Sequence, residues 1–276
     1  METTKQHQQE VKAGERFEFG KNWTRFLKTL NDDIIATAQN NFTPILEGYD
    51  LKGKTFLDIG SGSGLSSLIA RRIGANVFSF DYDPHSVAST RELKNRYFKD
   101  DTGWKIEQGS VLDENYMRSL GTFDVVYSWG VLHHTGQMWK AIENAIIPVK
   151  PGGLYYIAIY NDQGKKSRRW TKVKKLYCSG FAGRTLVKGF FLPYVYSVAF
   201  MIDVIKFRNP IKPYREYRKE RGMSVYYDHI DWLGGYPFEV ATPEQIFKFM
   251  KERGFELRNM ITTNTKGCNQ FVFRKN

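Results

Sequence analysis

The stretch Thr55-Phe56-Leu57-Asp58-Ile59-Gly60-Ser61-Gly62-Ser63-Gly64 decides how the rest of the chain is read. Its first five residues form a short, mostly apolar run of strand character. Three glycines at alternate positions then break the strand and mark a tight turn. A ligand can approach the backbone amides of such a turn because no side chain blocks the way. From Leu65 to Ile73 the pattern becomes helical, and Gly74 closes it. A dinucleotide fingerprint spaces its glycines G-x-G-x-x-G, whereas Gly60, Gly62 and Gly64 follow G-x-G-x-G behind Asp58, which points away from a nicotinamide cofactor.

Outward from this unit the alternation repeats. Strands are expected at Asn76–Asp81, Trp104–Gln108, 123–128 and 154–159, with helices over Pro84–Tyr97 and 138–147 between them. A further helix at 242–253 opens on the cap Thr242-Pro243-Glu244-Gln245 and ends at Gly254, before two last strands at Phe255–Ile261 and 270–274. Strands alternating with helices of this length build a mainly parallel sheet covered on both faces. The expected fold class is α/β, doubly wound, with seven strands. Upstream, Trp23, Phe26, Leu27, Leu30, Ile34 and Ile35 recur at helical spacing and predict one or two amphipathic helices. Four regions follow: an N-terminal helical cover (1–50), a ligand-binding core (51–160), an inserted subdomain (161–236), and a helix and strands that complete the sheet (237–276).

Composition narrows the class of protein. The 276 residues are 41% hydrophobic and 15% aromatic, enough to fill a real core. Cys178 and Cys268 lie far apart with no ligand spacing around them, which excludes a disulfide scaffold and a zinc site, so no metal is expected. Met1 to Lys12 are polar and carry no apolar export signal, so the expected compartment is the cytoplasm. The net charge of +12 favours contact with nucleic acid, anionic lipid or phosphorylated substrates without choosing among them. The insert carries two basic groups, Lys165, Lys166, Arg168, Arg169, Lys172, Lys174 and Lys175 first, then Arg215, Arg218, Lys219 and Arg221. Between them the uncharged stretch 189–202 is shorter than the ~18–20 residues that cross a bilayer, so no transmembrane span is expected. A buried helix, a dimer face and an interfacial helix that makes peripheral membrane contact through 181–205 remain open readings.

From Asp58 to Ile159 the chain resembles the class I S-adenosylmethionine-dependent methyltransferases, whose first motif is an acidic residue followed by x-G-x-G-x-G. The resemblance extends to four later segments. Phe80-Asp81-Tyr82-Asp83 ends the second strand, and there the family's acidic residue takes the two ribose hydroxyls, implying that role for Asp81 and a place beside the adenine for Tyr82. Gln108-Gly109-Ser110-Val111 resembles the adenine-contacting loop, with Ser110 where an aspartate is commoner. The run from Phe123 to His134, which includes Ser128 and Trp129, looks like the small-molecule branch that contains ubiquinone, sterol and sugar methyltransferases. Pro151-Gly152-Gly153 matches the turn before the fifth strand. The resemblance therefore implies a Rossmann-like methyltransferase fold, S-adenosyl-L-methionine as cofactor, and a cofactor site of Asp58, Gly60, Ser61, Gly62, Gly64, Asp81, Tyr82, Ser110, Val111, Ser128 and Trp129.

Methyl transfer is an in-line displacement in which the enzyme mostly positions, and a hydroxyl acceptor benefits from a general base. Candidates for that base are His133, His134 and the cluster Asp228-His229-Ile230-Asp231; the alternative for either of the paired histidines is a ring that hydrogen-bonds loop backbone. Aromatic and acidic residues around Asp231, Trp232 and Tyr236 suit a substrate pocket or a subdomain anchor, and Phe19 with Trp23 suits a lid or a clamp on the sheet. The preferred acceptor is a hydroxyl of a small polar, glycosylated or phosphate-bearing metabolite, with the basic patch pairing its anionic part. The alternatives are RNA, a lipid or quinone at the membrane surface, and a cofactor-binding scaffold without catalysis. RNA is not favoured because only Trp170 and Tyr177 accompany the first basic group.

Overall fold

The computed structural model of the chain describes residues 2–42, 44–46, 48–206, 225–265 and 267–276. The second basic group, Arg215 to Arg221, lies outside the described residues. Three helices precede the sheet, α1 (Glu2–Lys12), α2 (Gly20–Phe26) and α3 (Asp32–Phe42). The core then runs β1 (Thr55–Ile59), α4 (Leu65–Ile73), β2 (Asn76–Asp81), α5 (Pro84–Tyr97), β3 (Trp104–Gln108), α6 (Glu114–Ser119), β4 (Phe123–Trp129), α7 (Met138–Ala145) and β5 (Val149–Tyr160). The insert supplies α8 (Lys165–Cys178), α9 (Phe181–Ile205) and α10 (Val225–Gly234), and α11 (Pro243–Lys251), β6 (Phe255–Ile261) and β7 (Cys268–Lys275) close the chain.

The seven strands lie in the order β3-β2-β1-β4-β5-β7-β6, parallel except for β7, which runs antiparallel to both neighbours. Alternation along each strand sends residues to two separate cores. Leu57, Ile59, Val126, Tyr155, Ile157 and Phe271 face α7 and α11, where they meet Ala141, Ile142, Ile246 and Met250. Phe56, Val125, Tyr127, Tyr156 and Val272 face α3 and α4, where they meet Ile34, Ile35, Leu68 and Ile69. The expected doubly wound sheet is thus the observed one. A third, smaller cluster of Tyr177, Cys178, Val187, Ile230 and Leu233 holds α8, α9 and α10 together, with Phe17 packed against it.

Three elements differ from expectation. Pro151-Gly152-Gly153 is absorbed into β5, whose pairing with β4 slips between Phe123 opposite Val149 and Val125 opposite Leu154, so the turn becomes an irregularity within a longer strand. The polar N-terminus forms α1. The apolar stretch of the insert belongs to one helix of 25 residues, because helical structure continues through Arg184 and Lys188 and past Asp203. By length and composition α9 meets the requirement for a membrane span, which the uncharged stretch alone did not.

Candidate active site

The carboxyl ends of β1, β2, β4 and β5 open into a cavity of about 1000 Å³, at the place where the strand order reverses between β1 and β4. At its floor Gly60, Gly62 and Gly64 all have positive φ (77°, 56° and 83°). The glycine amides of this loop are taken: Gly60, with Ser61, donates to the Phe80 carbonyl, Gly64 donates to Ser61, and Gly62 donates to Asp81. The glycines therefore serve approach more than amide donation. A Cβ at Gly60 would meet Val131, one at Gly62 would lie 3.0 Å from the Trp23 indole nitrogen, and one at Gly64 would press on Thr90.

Two carboxylates flank the loop, Asp58 buried and Asp81 partly buried. Asp58, on β1, accepts from the Ser67 hydroxyl, which also contacts Ser79, itself 2.8 Å from the Trp104 indole nitrogen. Asp81, at the end of β2, accepts from Gly62 N–H through one oxygen and Asp83 N–H through the other, both at 2.9 Å. Burial raises both carboxyls to about 7, against the hydrogen bonds that pull them down. Each Asp81 oxygen keeps a lone pair beyond its backbone bond, so the group remains an acceptor for a pair of hydroxyls.

Around Asp81 the walls come from α1, which gave no apolar signal in the sequence. Glu10 accepts the Tyr82 hydroxyl at 3.1 Å, Arg16 pairs with Glu10 at 2.7 Å and lies 4.9 Å over the Tyr82 ring, and Gln6 and His7 complete this side. Ser110 and Val111 line the cavity as well, the Ser110 hydroxyl accepting Leu112 N–H and the Val111 carbonyl accepting the Asn144 side chain.

The opposite end has a different chemistry. Phe17, Phe19, Trp129, Tyr160 and Trp232 contribute rings, and α10 brings Asp228, His229 and Asp231 to the wall, whereas Trp23, expected on the substrate side, lies against Gly62 at the floor. Asp231 accepts from the Asn22 amide on α2, and burial raises its carboxyl to about 7. His134 Nδ1 lies 2.7 Å from the Pro237 carbonyl; a carbonyl only accepts, so Nδ1 carries the proton and Nε2 is the basic nitrogen. Burial, with Lys174 and Arg16 nearby, lowers the His134 pKa to about 3, so the ring is neutral at physiological pH.

Four predicted residues stand away from the cavity wall. His133 is fully buried behind His134: its Nδ1 accepts Tyr160 N–H at 3.4 Å, and its Nε2 finds no partner among the described residues. Both rings of the pair thus bond backbone, and burial holds the His133 pKa well below 6.5. Ser128 is buried with its hydroxyl on the Ile59 carbonyl, tying β4 to β1. Gly64 is the left-handed cap of α4. Tyr236 gives its carbonyl to Phe17 N–H and packs on the insert's own cluster. The exposed cations of α8 do not line the cavity either, and Lys174 is buried, donating to the Trp232 carbonyl. Sequence reasoning missed Gln6, His7 and Glu10, which a polar helix without an apolar stripe does not signal, and Gln270, whose strand position gave no hint of its 3.3 Å contact with the Trp129 indole.

A glycine-rich floor under an aromatic, carboxylate-bearing chamber, at the switch point of a seven-stranded sheet, places the chain among the doubly wound, ligand-binding α/β folds. The chain belongs to the methyltransferase-domain family, whose model matches residues 23–191, more than half its length. Among curated proteins it is similar to the ubiquinone biosynthesis O-methyltransferase of Colwellia psychrerythraea, 32% identical over 123 residues that make up 42% of this chain and 47% of that one. The protein of the same name from Rhizobium rhizogenes is 31% identical over 113 residues, 40% of this chain and 43% of the relative. These matches span less than half of each relative. Among solved structures, a magnesium protoporphyrin IX methyltransferase from Synechocystis with bound SAH shares the fold at TM-score 0.52 and 12% identity, covering 90% of this chain and 89% of that one. An O-methyltransferase family protein from Burkholderia thailandensis shares it at TM-score 0.55 and 12% identity, covering 88% and 57%.

Proposed function

We propose that the protein transfers a methyl group from S-adenosylmethionine to a hydroxyl of a small, uncharged, ring-bearing acceptor. The observation that carries this reading is one cavity with two chemically distinct ends. At the first, the Asp81 carboxylate, pinned by two backbone amides yet with a lone pair left on each oxygen, suits a ribose diol, and Tyr82 and Val111 suit the flat faces of a base. The residues present thus fit the nucleoside of the cofactor. Bound there, S-adenosylmethionine supplies an electrophilic methyl carbon on a positively charged sulfonium.

The lining also supports an uncharged acceptor. Carboxylates of Glu10, Asp58, Asp81, Asp83, Asp228 and Asp231 face the cavity, against Arg16 and Lys140 among the described residues. That balance suits the sulfonium of the donor and disfavours a phosphate-bearing acceptor. The rings of Phe17, Phe19, Trp129, Tyr160 and Trp232 suit an aromatic or otherwise apolar ring, which agrees with the ubiquinone pathway named for the relatives. His134, neutral and with Nε2 as its basic nitrogen, orients the acceptor hydroxyl by accepting its hydrogen bond. Asp231, with its carboxyl lifted to about 7, is matched to taking the proton as the oxygen becomes nucleophilic.

The test is incorporation of labelled methyl from S-adenosylmethionine into a set of phenols and catechols, amines, and phosphorylated sugars. O-methylated phenol or catechol is the expected product; exclusive labelling of amines or phosphorylated sugars would overturn the reading.

A further inference from the structure

Large apolar side chains cover the outside of α9. Phe181 is 86% exposed, Phe190 77%, Tyr194 67% and Ile205 68%, with Leu186, Phe200, Met201, Ile202 and Val204 also exposed along the same helix. Only Gly183 and Val187 of its 25 residues are buried. A soluble surface does not carry such a patch without a use for it. Immediately before it, joined by Ser179-Gly180 and packed alongside, α8 presents Lys165, Lys166, Arg168, Arg169, Lys172 and Lys175 to solvent and contains no acidic residue. On α9 itself Arg184 and Lys188 stand in the first two turns, against Asp203 near its end.

We infer that the α8–α9 hairpin is a docking surface for an anionic lipid bilayer, with α9 lying in the interface and the α8 cations over the headgroups. The charge pattern selects this occupant. Apolar helix surface beside a cluster of lysines and arginines is the combination that lipid acyl chains and anionic headgroups satisfy together. A second copy would bring two cationic hairpins face to face, and RNA would leave the exposed aliphatic side chains Leu186, Met201, Ile202, Val204 and Ile205 against phosphates and water.

The chain also favours lying on the bilayer over crossing it. At its start α9 is packed on α8, and after it the chain returns to α10, which packs on α8 too. A crossing helix would require 207–224 to come back through the hydrocarbon, and that segment contains Arg208, Lys212, Arg215, Glu216, Arg218, Lys219, Glu220 and Arg221.

The position of α9 ties docking to the cavity. Phe191 on α9 stacks on Trp232 with ring centroids 5.5 Å apart, and Tyr196 meets the His229 ring at 5.7 Å. Trp232 and His229 both line the acceptor end. One layer of side chains therefore separates the bilayer-facing helix from the chamber, so an acceptor dissolved in lipid enters beside α9 and α10. This last step rests on the acceptor proposed above; docking itself does not.

The experiment is flotation of the full chain with vesicles of phosphatidylcholine alone or with phosphatidylglycerol, without donor or acceptor, so that failure of the methyl-transfer reading leaves its outcome unaffected. Binding is expected at least tenfold tighter with phosphatidylglycerol and weaker in high salt. Phe190→Ser/Tyr194→Ser/Phe200→Ser is expected to lose at least tenfold in vesicle affinity while cofactor affinity stays unchanged. Lys165→Glu/Lys172→Glu/Lys175→Glu is expected to lose on the order of a hundredfold, at roughly fivefold per cation removed. Absence of binding to phosphatidylglycerol vesicles would overturn the proposal. So would vesicle binding unaltered in both variants, conversion of a dimer to a monomer by the apolar variant with vesicle binding unchanged, or a wild-type preference for RNA over vesicles.

Discussion

Asp231 accepts the Asn22 amide at the wall of the acceptor chamber, and burial lifts its carboxyl to about 7. As the proton acceptor it works only when ionised, so kcat is expected to rise with pH through about 7, and Asp231→Asn to flatten that rise while lowering kcat ~100-fold. An unchanged pH profile in the variant would assign the proton elsewhere. The same shift has a cost in stability. The unfolded carboxyl titrates near ~3.9, so between about pH 4 and 7 the folded state holds a proton the unfolded state has lost, and this group's contribution falls as pH rises. Asp231→Asn is therefore expected to raise Tm by a few °C at pH 8 and little at pH 4, as thermal melts would show. At the other end of the cavity, Gly62→Val sets a branched side chain against Trp23 at φ 56°, and Asp81→Ala frees two backbone amides. Each is expected to weaken S-adenosylmethionine binding ~10- to 100-fold by calorimetry, the equivalent of one to two lost charge-assisted hydrogen bonds. The glycine turn is legible in the sequence because local backbone geometry dictates it, and Asp81 because its position resembles that of the family's acidic residue. The roles of His133 and His134 are not: adjacent and alike in sequence, they adopt opposite tautomers because one meets the Tyr160 amide and the other the Pro237 carbonyl.

Among the elements, α1 contrasts with α4. Leu68, Ile69 and Ala70 of α4 are buried against the sheet, and the spacing of its apolar residues is enough to announce the helix. By contrast α1 attaches through polar contacts, Thr4 to Gln108 at 2.7 Å and Glu10 to Tyr82 at 3.1 Å, which no apolar periodicity encodes. The same contacts make it the removable wall of the cofactor end. Deleting 2–12 is expected to leave Tm within a few °C and to speed cofactor dissociation at least tenfold, measured by stopped-flow fluorescence of the nearby Trp23. A large loss of Tm with unchanged dissociation would make α1 part of the core instead. Length misled the reading of α9 for a related reason: charge marks the end of an uncharged run, but Arg184 and Lys188 sit comfortably on the outside of a helix that continues through them.

Across the whole molecule the charge divides by location. The chain carries +12, the exposed face of α8 concentrates cations, and the cavity lining is rich in carboxylates. In the sequence, the basic patch of the insert suggested an anionic acceptor paired with it. Which surface a charge lies on is decided by the fold, and the patch lies outside the chamber that holds the chemistry. The consequence is testable on the acceptor. Two substrates that share a hydroxylated ring and differ by a distant phosphate meet the same rings and the same Asp231, but the phosphate enters a space where Asp228 and Asp231 repel it and Arg16 is already engaged by Glu10. The phosphorylated acceptor is expected to show a KM at least tenfold higher with kcat changed less, and the gap to narrow as ionic strength rises, because mobile ions screen the repulsion at the cavity mouth. Equal KM values for the two would mean that the cavity's carboxylates do not select the acceptor. If the phosphorylated acceptor were the better substrate, Lys140 and the cations beyond the cavity mouth would be its binding site.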